Sequence, residues 1–178
     1  MPAMNNQSLA RRRSIVLRHL LGPPPSTPPT IDWSAVEHRL GFTPPPDYRA
    51  WANVYPQITI DNFLTVLHPA GPPSLNLFTA DTELLSFERQ LRDVDPGDMP
   101  YPIQPEPGGL YPWGWTANSD RLHWYPAGDR LVVINRFGNH DWPGTMTDFL
   151  IAFLARAPLF PFFPADYPRP GFTVDAAD

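Results

Sequence analysis

Apolar residues recur at helical spacing in five stretches of this chain. Leu9, Val16, Leu17, Leu20 and Leu21 fall on one side of a predicted N-terminal helix. Trp33, Val36 and Leu40 follow Asp32 at i, i+3 and i+7. Asp32 suits an N-cap, Gly41 suits the end of that helix, and Ile31 with Val36 has the spacing of a hydrophobic staple. Pro46 fits the first turn of a second short helix, whose face is Tyr48, Trp51, Ala52 and Tyr55 and which Pro56 stops. A further helix is predicted to start near Thr79 or Asp81 and to bury Leu84, Phe87 and Leu91. The clearest one begins at a capping-box-like Thr145 and Asp148 and carries an apolar stripe of Met146, Phe149, Leu150, Phe153 and Leu154, with Pro158 beyond it.

Extended signals lie between these helices. Residues 63–67 are a short, partly β-branched apolar run, and residues 113–116, 122–125 and 131–134 read as three strands of a meander. Asn118 to Asp120 and Ala127 to Asp129 have turn chemistry. Helices first, strands in the middle and a helix last predict an α+β single domain, with a mixed, largely antiparallel β-sheet flanked by α-helices. Residues 22–30 (GPPPSTPPT) read as a stiff polyproline II spacer. The expected organisation is therefore a basic helix plus proline-rich linker at 1–30, then the domain at 31–178. In the tail, Pro158, Pro161 and Pro164 recur every third residue with Phe160, Phe162, Phe163 and Tyr167 nearby, a segment expected to pack back onto the domain.

Composition narrows the chemistry. Proline makes up 26 of 178 residues, but 23 aromatics supply the apolar surface that disordered chains lack. All 13 basic residues are arginine. Without lysine there is no phosphate-loop lysine, no Schiff base and no serine–lysine pair. Without cysteine there is no thiol nucleophile, disulfide or iron–sulfur ligand. Four arginines (Arg11, Arg12, Arg13 and Arg18) fall in the first 20 residues, while the rest of the chain carries nine against 18 acids, a balance of −9. That acidic body disfavours direct binding of nucleic acid and suits a basic protein partner. Arg12-Arg13-Ser14-Ile15-Val16 is interrupted by Arg18 and His19 before an export signal could form, and no apolar run is long enough to span a membrane, so a cytoplasmic location is expected.

Searches for catalytic constellations return little. The five histidines show no metal-ligand spacing, and none of the seven serines sits in a nucleophile elbow. His123 is near Ser119 and Asp120 in sequence, and His140 adjoins Asp141, but nearness alone makes no triad. No enzyme activity and no cofactor are expected. Tyr111, Trp113, Trp115, Trp124 and Tyr125 crowd together. They are expected in the core, with a carbohydrate or wall-precursor stacking surface as the alternative.

Several motifs, taken in order, resemble the SUKH (Smi/Knr-like) superfamily. They are Leu40-Gly41, Pro46-Asp47-Tyr48-Arg49, Phe63-Leu64 with Val66-Leu67-His68-Pro69, and Gly108-Gly109-Leu110 with Pro112-Trp113-Gly114-Trp115-Thr116. Asp120, Leu122, Trp124, Gly128-Asp129 and the run from Thr145 to Leu150 continue the pattern. The resemblance implies a non-enzymatic protein-binding domain, with many members resembling immunity proteins that neutralise a nuclease or deaminase toxin domain, and fungal relatives regulating cell-wall synthesis. It carries over no catalytic residue. An acidic surface could occupy the basic cleft of such a toxin. The candidate partner-binding acids, chosen on charge, are Asp93, Asp95, Asp98, Glu106, Asp120 and Asp129.

Overall fold

A computed structural model describes residues 6–81, 84–128 and 130–176. Among them the helices are α1 (Asn6–Leu21), α2 (Trp33–Leu40), α3 (Pro46–Ala52), α4 (Leu84–Val94) and α5 (Met146–Leu154). The strands are β1 (Ile58–Ile60), β2 (Leu64–Val66), β3 (Tyr111–Thr116), β4 (Arg121–Tyr125), β5 (Arg130–Asn135), β6 (Gly138–Trp142) and β7 (Val174–Ala176). All seven join one sheet in the order β6-β5-β4-β3-β2-β1-β7, and every neighbouring pair is antiparallel. Two isolated parallel bridges, His68 to Asn76 and Ile103 to Leu110, lie outside the strands. The fold is α+β, as the element order predicts. No described helix is long and apolar enough to cross a membrane.

The predicted caps form. The Asp32 carboxylate accepts from Ala35 N at 3.1 Å, and Gly41 ends α2 at φ 75°. Thr145 and Asp148 close a capping box on α5, and Asp47 of α3 accepts from Thr147 N at 2.9 Å, tying the two helices together. Side chains alternate across β4 and β5. Trp124 packs edge-on to Tyr48 of α3 at 4.6 Å, while Trp113 of β3 meets Phe149 of α5 at 5.8 Å. Arg121 and His123, two residues apart, share the opposite face with α4. Helices α3 and α5 therefore cover one face of the sheet, and α4 covers the other. Gly114 allows β3 to approach β2, since a Cβ there would lie 2.4 Å from the Thr65 carbonyl oxygen.

Two expectations about the chain ends resolve differently. The tail packs back as predicted, with Tyr167 4.6 Å from Phe63 and Phe163 6.0 Å from Phe149. The N-terminal helix, expected to stand off on a spacer, is docked instead. Leu17 and Leu21 are buried, Arg13 pairs with Asp148 at 2.6 Å, and the Tyr55 hydroxyl donates to the Gly22 carbonyl at 2.8 Å. The proline spacer thus returns α1 to α5. Val16 lies on the exposed side of α1, and the Leu9 side chain lies outside those described.

Strands β1, β6 and β7 go beyond the sequence reading, because two have only three residues and β6 is mostly polar. The helix predicted to start near Thr79 or Asp81 also differs. A 3₁₀ turn occupies Leu77–Asp81, α4 begins at Leu84, and its inward residues are Leu85 and Glu88. Phe87 and Leu91, expected inside, are 49% and 41% exposed.

The β1–β2 turn holds the C-terminal segment. Asp61 and Asn62 adopt φ 54° and 51°, two left-handed residues in the three-residue connection between β1 and β2. The buried Asp61 carboxylate accepts from Arg169 N at 2.7 Å and from Arg169 Nη2 at 2.5 Å, while Asp61 N donates to Thr173 O at 2.8 Å. The Arg169 hydrogen bonds hold the Asp61 carboxyl below its ordinary range, against the upward push of burial. A lowered carboxyl pKa contributes stability above the unfolded-state value of about 3.9, which is lost as pH falls through the folded value. Asp61→Asn is expected to lower the urea midpoint at neutral pH and to flatten the acid limb of the stability curve. Identical midpoints for both chains from neutral to acid pH would contradict this clamp.

Candidate functional site

Helix α4 turns Glu88 inward beside Leu85 and leaves Phe87, Leu91 and Val94 outward. The Glu88 side chain has no exposed area. Its Oε1 accepts from Arg121 Nε at 2.8 Å and lies 3.0 Å from His123 Nε2, and its Oε2 lies 3.1 Å from the same nitrogen. The His123 Nδ1 lies 3.2 Å from the Arg121 carbonyl oxygen, so both ring nitrogens face acceptors. Burial pushes the Glu88 carboxyl up, but His123 and Arg121 together outweigh it and hold the group low. Arg89 donates to the Gln104 carbonyl, and Arg92 donates to Glu106 at 2.5 Å, fastening the helix to the loop that follows it.

That inward set leaves Phe87, Leu91 and Val94 on the outside, at i, i+4 and i+7. They are 49%, 41% and 85% exposed, and the Arg121 guanidinium carbon lies 5.9 Å from the Phe87 ring centre. A surface helix ordinarily shows the reverse pattern. An aromatic and two aliphatic residues in one outward stripe have the composition of an interface core.

The charge-based candidates divide. Asp93, Asp95 and Asp98 are exposed at the C-terminal end of α4 and in its loop, next to Val94. The Asp95 carboxylate accepts from Gly97 N at 3.0 Å and from Asp98 N at 3.2 Å, which shapes that loop. Asn139 of β6 donates to the Asp98 carbonyl. Glu106 is neutralised by Arg92, whose hydrogen bond holds its carboxyl low. Asp120 is only 4% exposed and accepts from Thr116 Oγ1 at 2.5 Å and Asn135 Nδ2 at 2.8 Å, so it serves the β3–β4 turn and offers no surface charge. Asp129 lies outside the described residues. Three of the six acids therefore remain exposed, and two of them, Asp93 and Asp95, flank Val94 in the chain at the end of the outward stripe.

Other candidates serve the fold. His123 is committed to Glu88, and Asp120 to Thr116 and Asn135, so no Ser119–His123–Asp120 triad assembles. His140 packs on Phe162 at 4.4 Å. His68 donates from Nε2 to Ala52 O at 3.0 Å and accepts Ala70 N at Nδ1, the neutral form, and burial lowers its pKa. Among the described residues, no group of three histidine, cysteine or acidic side chains could hold a metal ion. Tyr111, Trp113 and Trp124 are buried, so most of the crowded aromatics fill the core.

Comparisons with family models, with curated proteins and with solved structures match nothing to this chain.

Removing one member of a buried ion pair leaves its partners' charge uncompensated, at a cost of about 3–5 kcal/mol. Glu88→Gln is therefore expected to destabilise the protein by about that amount in urea unfolding. Phe87→Asn removes a ring that is only about half covered and should cost about 1 kcal/mol or less. Comparable losses from both substitutions would place Phe87 inside and contradict the orientation of α4.

Proposed function

We propose that this chain is a non-enzymatic protein-binding domain of the immunity type. It binds a basic protein domain, of the nuclease or deaminase toxin class, on the outer face of α4. The observation that carries the reading is the inverted helix: Phe87, Leu91 and Val94 face solvent while Glu88, Arg89 and Arg92 face the protein. Exposed apolar side chains at helical spacing supply contact area, and the aromatic among them is the natural anchor.

Charge selects the partner. Asp93 and Asp95 flank Val94 in the chain and Asp98 follows in the same exposed loop, the chain carries −5 overall, and the neighbouring Arg92 is already paired with Glu106. A cationic cleft built for phosphate would be drawn to this rim, with the acids raising the association rate and the apolar stripe setting the lifetime. The resemblance to the SUKH superfamily points to the same class of partner.

The test is recovery of the full chain from its native cells, followed by binding measurements on the identified protein. A partner with a basic domain is expected, and Phe87→Asn with Leu91→Asn should weaken it by about tenfold or more without changing circular dichroism. Neutralising Asp93, Asp95 and Asp98 should slow association and flatten its salt dependence. A partner held equally well by these variants, or an acidic one, would contradict the reading.

A further inference from the structure

A second feature lies apart from the α4 face. A cavity of about 540 Å³ opens between α1, α3, the first turn of α5 and the β4–β5 connection. That volume is in the range of small-molecule sites, roughly 300–1,000 Å³. Trp51, Tyr55 and Trp124 give it an aromatic wall.

The polar groups of its lining are mainly donors. Three arginines, Arg13, Arg18 and Arg130, line it against one carboxylate, Asp47. Asp47 is occupied by Thr147 N. Arg13 pairs with Asp148 at 2.6 Å and Arg130 with Asp141 at 3.3 Å, whereas Arg18 has no ion pair among the described residues. Arg18 also offsets part of the upward push of burial on the Tyr55 phenol, so its charge acts beside the aromatic wall. Arg13 and Arg130 are thus offset by their own carboxylates, and Arg18 is the lining cation left without one among the described residues.

We propose that this cavity binds a small planar apolar anion, an aromatic carboxylate in class. The ring lies against the wall of Trp51 and Trp124, and the carboxylate lies toward Arg18. Because α1 and α3 both line the site, the ligand also fastens the N-terminal helix to the domain. Nothing in this site is shared with the outer face of α4, so its test and that of the protein-binding reading are separate.

The experiment is calorimetric titration of the full chain with naphthylacetate and with its cationic counterpart naphthylethylamine, which share the ring and differ in charge. Naphthylacetate is expected to bind, and naphthylethylamine at least about tenfold more weakly, as one charge at close range dictates. Arg18→Glu, at an exposed position of α1, should weaken naphthylacetate by about tenfold. Ala50→Trp, at an exposed cavity-lining position of α3, should abolish binding with circular dichroism unchanged, and Leu91→Asn on α4 should leave it intact. Equal affinity for the two compounds, no heat of binding at millimolar naphthylacetate, or an unaffected Arg18→Glu would each overturn the proposal.

Discussion

A carboxylate with no exposed surface fixes how α4 sits on the sheet. Glu88 is held between His123 and Arg121 on adjacent positions of one β4 face, and a helix so pinned cannot turn about its axis. Rotation would bring Phe87 and Leu91 inside, but both are already about half covered, so burial favours the change by only about half of the roughly 1.5–3 kcal/mol of a full burial for each side chain. It would also strip Glu88 from its two partners or leave them unpaired, and that cost exceeds the gain. Buried ion pairs seldom add stability over a well-packed apolar core; this one sets orientation. The loop after α4 follows, since Arg89 and Arg92 hold it from the same side of the helix.

Arginine is what makes such fixing possible. Its planar fork places several donors at once, where an ammonium acts as a point charge. Arg169 grips Asp61 through its backbone and side chain, Arg121 reaches Glu88 through Nε while lying near Phe87, and Arg92 spans Tyr101 and Glu106. A chain whose cations are all arginine uses them as joints. The acids left without such a joint, Asp93 and Asp98 among them, are those whose charge remains outward.

Local chemistry was the legible part of this chain. Asp32, Gly41, Pro46 and Thr145 act within four residues of themselves, and each stands where its cap or turn chemistry predicts. The meander at β3 to β5 was readable for the same reason, as alternating side chains separated by turn residues. Strands β1 and β7 carry too few residues for a period, and the polar β6 is a strand because β5 offers it an edge. The rotation of α4 was hidden more deeply. Periodicity shows that a helix has an apolar side but not which way that side points, and the deciding partners lie 33 and 35 residues away. Charge counting failed at Asp120 and Glu106 for a related reason, because a formal charge does not reveal burial or a paired arginine.

The absence of cysteine allows the orientation of α4 to be read directly. Single cysteines placed at Leu85, Phe87, Glu88 and Leu91 report accessibility through their rate of reaction with a soluble thiol reagent in the folded protein. The account predicts that Phe87→Cys and Leu91→Cys react at close to the rate of an unstructured peptide, and that Leu85→Cys is protected by orders of magnitude. Glu88→Cys should be protected wherever the variant remains folded. Rapid labelling at Leu85→Cys together with protection at Phe87→Cys would show that the helix buries its apolar stripe, and the outward interface would be lost with it.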